Sequence, residues 1–161
     1  MASDTEAPAL SGKRRVGKIG LGLIVDRIEL ARLPDDGTEP TLDWSVSASV
    51  VKGSDNTHVM IVGHLFRLFD GGLGQVRSVA ALSVPEWDAD DPDALDKFIN
   101  DYGYGFVEPL YDTCRRALLI QSVQMELDLD LPSYSPVCLI ENGDNESAEE
   151  DDATEADLDS H

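Results

Sequence analysis

The most informative stretch for the fold is residues 102–132, YGYGFVEPLYDTCRRALLIQSVQMELDLDLP. In it, a helical spacing of apolar residues runs directly into a strand-like alternation. Apolar residues recur at three- and four-residue intervals from Phe106 onward, which predicts a long amphipathic helix. Pro109 lies in its opening turn, where proline is tolerated. From Val123 to Leu131 apolar residues alternate with Gln, Glu and Asp, which predicts an extended segment with one packed side and one acidic side.

A shorter helix is predicted immediately before this stretch. Pro92 suits a first helical turn, and Asp90 or Asp91 can cap the helix. Tyr102-Gly-Tyr-Gly105 then breaks it. The apolar face of this helix consists of Leu95, Phe98, Ile99 and Tyr102.

Four strands are predicted upstream of the helices. In the first, the apolar phase moves from Val25 to Ile28, which indicates a β-bulge. The second has the clearest alternation of apolar and polar residues. Short, turn-rich links without a helix join the runs, so we expect an α+β protein with a four-stranded antiparallel meander. The runs are Ile19–Leu30, Leu42–Val50, Val59–Phe69 and Val76–Val84.

The charge of -20 is unevenly spread along the 161 residues. Glu141 to Asp159 contains ten acidic residues and no basic one, so this segment carries half of the net charge. Such a chain repels phosphates, and we expect no nucleic-acid binding. The expected organisation is a flexible leader at 1–15, one folded domain at 16–138 and an acidic disordered tail at 139–161.

The cysteines, histidines and apolar runs argue against a secreted, a metal-binding or a membrane-inserted protein. Cys114 and Cys138 are the two cysteines, and a reduced, buried Cys114 predicts a cytoplasmic protein. His58 and His64 share one face of a strand but lack further ligands, so no metal site is expected. The longest apolar run near the N-terminus has seven residues, so no membrane insertion is expected.

Two segments resemble the SecB-like family of export and toxin–antitoxin chaperones. Val25-Asp-Arg-Ile-Glu-Leu-Ala-Arg32 is similar to the first strand of that family, and Phe106 to Leu110, with Pro109, to the start of its long helix. Leu127-x-Leu129 has the spacing of a family motif that precedes a proline. The chain lacks the glycine that usually ends the long helix around residues 120–123. The resemblance extends over the order of elements from Ile19 to Pro132.

The resemblance implies an ATP-independent holdase with a four-stranded sheet, helices on one face and assembly into a dimer of dimers. Its partners would be unfolded clients in protein export, or a dedicated client such as an antitoxin. The absence of G-x-x-x-x-G-K-[ST] agrees with an activity that needs no cofactor. In the export branch an acidic sheet surface docks the translocation motor, and Glu29, Asp43, Asp128 and Asp130 could contribute to a similar surface. A solvated strand face is the stronger interpretation of these acids.

Apolar residues on three segments are the expected client-binding residues. Leu42 and Trp44 are near a strand end, where exposure is expected, whereas Val46 and Leu129 are also typical of a core or an oligomer contact. The client-binding set is Leu21, Leu23, Leu42, Trp44, Val46, Leu127, Leu129 and Leu131. The set expected to pack the long helix on the sheet or on another subunit is Phe106, Leu110, Cys114 and Leu118.

Two other classes of function stay open on sequence alone. An acidic nucleic-acid mimic that blocks a DNA-binding partner would explain the charge, although half of the excess lies in a low-complexity tail. An enzyme would need Asp70 or Glu108 beside His64, with Cys114 as the nucleophile, and no spacing forces them together. We therefore expect no catalytic residue.

Overall fold

The computed structural model describes residues 20–34, 37, 39–52, 57–84, 87–88 and 90–143. The leader at 1–15 and the tail beyond residue 143 lie outside these ranges. The elements, in chain order, are strands β1 (Gly20–Arg32), β2 (Thr41–Lys52), β3 (Thr57–Phe69) and β4 (Gly72–Val84), helix α1 (Ala94–Asp101), a 3₁₀ turn (Gly103–Phe106), helix α2 (Val107–Met125) and strand β5 (Ile140–Asn142). The predicted order of four strands, short helix and long helix is confirmed.

The sheet has five strands in the order β1-β4-β3-β2-β5, so the predicted four-stranded meander is wrong. Strands β2, β3 and β4 form consecutive antiparallel hairpins, but β1 pairs with β4 and not with β2. This is a Greek-key order, in which a long connection carries the chain across the sheet. Residues 33–40 make that crossing, which spans about 14 Å or three strand spacings. The fifth strand, β5, pairs parallel to β2 and makes the sheet mixed.

The predicted bulge in β1 is confirmed. Register with β4 shifts between Val25 and Arg27. Before the shift Leu23 lies opposite Ala80, and after it Ile28 lies opposite Val76. Because Ala80 and Val76 are on the same face of β4, the bulge keeps Leu23 and Ile28, which lie on either side of it, on the helix side of the sheet.

Both helices lie on that side of the sheet. Helix α2 contacts β1, β3 and β4, and α1 contacts β2 and β5. Gly63 lets α2 and the Trp44 ring lie close to β3, since a Cβ at that position would be 3.1 Å from Leu110 Cβ and 2.5 Å from Trp44 Cη2. One core therefore fills the space between sheet and helices, and its largest buried side chains are Tyr111, Ile61, Leu65, Leu82, Leu110, Leu118 and Leu129.

The helix boundaries differ from the predicted ones. Helix α1 begins at Ala94, because the Asp91 carboxylate accepts the N–H of Asp93 at 3.0 Å and closes a turn before the helix. Helix α2 continues to Met125, so Val123 is helical and not part of the extended segment. Glu126 ends α2 in the left-handed region (φ 54°), a conformation that glycine usually supplies.

Residues 126–143 follow α2 and are named the strap here. Most of the strap has no regular secondary structure, and its last part is β5. Residues 140–142 pair with β2, although the sequence placed them in a disordered tail beginning at residue 139. Within the described ranges, neither helix has the length and apolar character required to span a bilayer.

Candidate binding surfaces at the two sheet edges

Strand β1 is the first of two possible binding surfaces, because it ends the sheet. Within the described part of the chain its only strand neighbour is β4, so one side of its backbone has no ladder partner. An exposed strand of this kind is a template for another extended chain. It is thirteen residues long, which is more than twice the usual strand length.

Exposed aliphatic side chains accompany this free backbone. Leu21 is 58% exposed and Leu23 40%, both on the helix side of the sheet, while Ile24 is 58% exposed on the opposite side. Isolated exposed leucines are ordinary, but a contiguous apolar patch marks a contact surface. We call this surface the bare edge; its residues are Leu21, Leu23, Ile24, Val25 and Ile28.

The opposite edge of the sheet is covered by the strap. Leu129 is 1% exposed, and its carbonyl accepts a hydrogen bond from Arg67 Nε at 2.9 Å. Further along, Ile140 pairs with Val46 at the start of β5. We call β2 with the strap on it the covered edge. The strap thus closes the edge at which β2 would otherwise end the sheet.

Polar contacts join the strap to both helices. Tyr111 donates its hydroxyl to the carbonyl of Pro132 at 2.9 Å, and the Glu108 carboxylate accepts the N–H of Ser135 at 3.0 Å. Near its end, Asn142 Nδ2 donates to Asp96 at 3.1 Å. The strap therefore bridges the sheet and the helix layer.

Trp44 lies under the strap and not at a surface. It is 7% exposed and packs edge-on against Tyr111, with ring centroids 5.3 Å apart. Cys138 of the strap lies beside it: burial raises the pKa of the Cys138 thiol, and the Trp44 indole lowers it by a smaller amount. The expectation that Trp44 is exposed near a strand end is wrong, because the sequence did not reveal that the strap returns over β2.

The eight expected client-binding residues fall into two separate groups. Leu21 and Leu23 are exposed on the bare edge, and β4 and β3 separate them from β2 by about 14 Å. At the covered edge, Trp44, Val46 and Leu129 are buried in the core, and three half-buried residues, Leu42, Leu127 and Leu131, pack around it. A single groove containing all eight residues is therefore absent.

The residues expected to pack the long helix lie beneath α2. Leu110, Cys114 and Leu118 are fully buried against the sheet, and Phe106 is half-buried beside them. Cys114 Sγ contacts Ser78 Oγ at 3.1 Å, and Ser78 Oγ donates to the carbonyl of Leu110 at 3.3 Å. Burial raises the pKa of the Cys114 thiol, which is opposite to the shift that a nucleophilic cysteine needs.

The sheet face opposite the helices carries a row of basic side chains across three strands. His64, Arg77 and Arg27 are cross-strand neighbours, and they line a cavity of about 320 Å³ with Val62, Gln75 and Val76. Arg27 donates to Glu29 from Nε at 2.8 Å, and Arg77 lies 3.4 Å from Asp26. The row is thus largely neutralised by neighbouring carboxylates.

The four acids considered for docking a motor are dispersed. Glu29 accepts hydrogen bonds from Arg27 and Gln75, which hold its pKa below the usual value. Asp43 is on β2, across β4 and β3 from Glu29, and Asp128 and Asp130 belong to the strap. Glu29 therefore lies at the opposite edge of the sheet from the other three acids. Among the described residues, no cluster of His, Cys, Asp and Glu has the arrangement of a metal site.

Two groups of apolar residues at the sheet edges were not among the predicted ones. Ile24, Val25 and Ile28 complete the bare edge, and their signal in the sequence is the run in which β1 is apolar on both faces. Ile140 and Cys138 cover Trp44 and Val46. No local pattern marks those two residues, because a three-residue parallel strand is created by its tertiary neighbour.

Comparison with known proteins gives structural likenesses only. No protein-family model matches the chain, and no curated protein matches it. A SecB-like chaperone from Mycobacterium tuberculosis, solved with a peptide from an antitoxin, is 17% identical with a TM-score of 0.46, over 71% of this chain and 89% of that chain. A protein of unknown function from Streptococcus agalactiae is 8% identical with a TM-score of 0.41, over 72% of this chain and 97% of that chain. Because both TM-scores are below 0.5, neither likeness decides the function of this chain.

Proposed function

We propose that the protein is an ATP-independent holdase that binds unfolded or non-native segments of other proteins along the bare edge. The observation that carries this proposal is the combination of an unpaired strand backbone with exposed aliphatic side chains on both of its faces. An unfolded chain offers extended backbone and scattered apolar side chains, and β1 complements both. The resemblance of Val25 to Arg32 to a SecB-like strand points the same way.

The mechanism requires only mass action. A client segment that adds to β1 forms main-chain hydrogen bonds, which are independent of its sequence, and buries the exposed leucines. Binding to the unfolded form of the client lowers the concentration that is free to aggregate. No nucleotide is consumed in this scheme, and a cytoplasmic location would suit clients in transit.

Self-association is part of the proposal. The same edge fits β1 of a second copy, which would pair antiparallel about a two-fold axis. The dimer of dimers implied by the resemblance would use this pairing together with helix contacts. Clients and a second copy would then compete for one surface, so molar mass must be measured together with activity.

Two narrower functions are compatible with this proposal. A dedicated client such as an antitoxin and a general role in export with a translocation motor both fit an edge that recognises backbone. The dedicated client ranks at least as high as the export role, since the chain lacks the family's own pattern of docking residues.

The test is light scattering of a non-native model protein diluted from denaturant, with and without this protein. We expect suppressed aggregation at a near-stoichiometric amount of the assembly, whose molar mass is measured by size-exclusion chromatography with multi-angle scattering. A monomer that leaves aggregation unchanged would overturn the proposal.

Removal of residues 144–161 separates holding from acidic mimicry. These residues contain nine acids and lie beyond the strap, so the truncation preserves both edges. We expect the truncated chain to suppress aggregation as the full chain does. Loss of suppression after truncation would favour recruitment or mimicry through the tail.

A further inference from the structure

The strap lies on the covered edge as a bound peptide would. It contributes one fully buried leucine, Leu129, and then adds β5 as a short strand to the exposed side of β2. Its side chain at Ile140 enters the space beside Gly103, where a Cβ would lie 3.0 Å from Ile140 Cδ1. A peptide-binding groove combines a pocket for a side chain, an edge for strand addition and a recess beside a small residue. The covered edge has all three.

The strap is held at few points for its length. Three residue pairs join it to β2, single hydrogen bonds join it to Arg67, Tyr111, Glu108 and Asp96, and Asp130 lies 4.0 Å from Arg67. Its outward side carries exposed apolar residues that contribute nothing to closure: Tyr134, Val137 and Leu139. Leu129 is the strap's one fully buried side chain, and its other apolar contacts with the core are half-buried. Ordering eighteen residues opposes closure, so we expect the strap to open at a lower free energy than global unfolding requires.

We propose that the β2 edge is a second peptide-binding groove whose built-in occupant is the strap. An extended segment of the same chemistry from another chain takes the groove when the strap opens. That chemistry is a run of leucines alternating with carboxylates, then a proline, then an aliphatic residue that pairs parallel to Val46. This site is separate from the bare edge, and its occupancy does not depend on holdase activity.

The first experiment measures binding of a fluorescein-labelled peptide with the sequence of residues 126–143 to the full chain by fluorescence anisotropy. Ile140→Asp places a charge in the recess beside Gly103 and opens the strap. Val137→Asp is the matched control, because it adds the same charge to a strap residue that is fully exposed. We expect the peptide to bind Ile140→Asp at least about tenfold more tightly than wild type, because more of the groove is free. Binding to Val137→Asp should equal binding to wild type.

A second variant tests the same groove in the closed state. Ser47 and Glu141 are paired residues of β2 and β5, at the spacing a disulfide can bridge. Ser47→Cys with Glu141→Cys, oxidised and checked by peptide mapping, locks the strap, and reduction releases it within the same molecule. Peptide binding should vanish in the oxidised form and return on reduction. A peptide with the same residues in scrambled order should bind neither form.

Hydrogen exchange of the full chain supplies a readout without a ligand. We expect the amides of residues 46–48 that face β5 to be protected about 100-fold less than those of the central strand β3. Equal protection, undiminished peptide binding to the oxidised lock, or no gain in Ile140→Asp would each overturn the proposal. If Ile140→Asp loses its circular dichroism spectrum, the oxidised and reduced lock alone decides. Failure here leaves aggregation suppression intact, so the two proposals are tested separately.

Discussion

The two edges of the sheet differ in what protects them. At the covered edge, the chain returns after α2 and lays Leu129 and Ile140 over β2 and Trp44. At the bare edge, thirteen residues of β1 keep one unpaired side and expose leucine, isoleucine and valine. Natural sheets usually protect an exposed edge with charges, prolines or a covering segment. One edge here has that protection, and the other lacks it over its apolar half.

Apolar content alone does not identify a binding surface in this sheet. Leu42, Trp44 and Val46 follow a cleaner apolar pattern than Leu21 and Leu23 do, yet the strap makes them part of the core. What distinguishes β1 is that, among the described strands, it has a neighbour on one side only. The function of each strand is therefore set by its position in the sheet.

The largest contrast between the two edges is expected in protein stability, when one leucine at each edge is truncated. Leu129→Ala removes a fully buried side chain and should lower the free energy of unfolding by about 2 to 4 kcal/mol. Leu21→Ala removes an exposed one and should change it by less than about 0.5 kcal/mol. Urea denaturation followed by circular dichroism measures both. Equal effects would mean that β1 is buried in a stable assembly of copies.

The second-largest effect is expected on client holding, when charges are introduced at the bare edge. Leu21→Asp with Leu23→Asp opposes burial of client apolar groups and should weaken holding about tenfold, or about 1.4 kcal/mol. The matched control is Val137→Asp with Leu139→Asp, which adds the same two charges to exposed strap residues. Aggregation suppression at several protein concentrations gives the affinity, and circular dichroism checks the fold. If the control loses holding to the same extent, the site is not confined to β1.

Alkaline pH should weaken the covered edge through Cys138. Burial raises the pKa of this thiol in the folded protein above the value of 9.0 for a free one. The folded state therefore favours the protonated thiol, so this contribution to stability is complete below the unfolded pKa and is lost as pH rises through the folded pKa. Urea midpoints of wild type should fall more than those of Cys138→Ser between about pH 8 and pH 10. Parallel pH profiles would show that the thiol does not contribute.

The smallest effect is expected where α2 gives way to the strap. Glu126 is a non-glycine residue in the left-handed region, and its N–H and that of Leu127 close the helix on the carbonyls of Val123 and Ser122. Glu126→Gly relieves the backbone strain but adds freedom to the unfolded chain. We expect a net stabilisation of about 0.5 kcal/mol, visible as a small rise in Tm. Glu126→Ala, which keeps the strain, should not stabilise the protein.

Periodicity predicted most of the elements because it reports which face of a strand or helix is buried. The bulge in β1 was readable from the move of the apolar phase between Val25 and Ile28, and the hairpins from their glycine-rich turns. The partner of β1 was not readable, since alternation is the same whether a strand pairs with β2 or β4. Topology is set by packing contacts distant in sequence.

The predicted exposure of the candidate residues was half right for a related reason. The exposure of Leu21 and Leu23 agrees with a contact role, which itself stays a prediction. The interpretation of Trp44 failed because Ile140 and Cys138 cover it from about ninety residues further along the chain. The sequence placed the end of α2 too early, because Glu126 adopts a left-handed backbone conformation that its residue type does not predict.

The bulge in β1 also sets a limit on length. Six residues, Gly20–Val25, keep a regular register with β4 before the shift at Asp26. A bulge increases the local twist, so an added strand that follows those six residues diverges from the remainder of β1. Continuous pairing would then stop after about 20 Å. We expect β1 to bind only short stretches of a long polypeptide. One client would then make several weak contacts in place of a single extended contact.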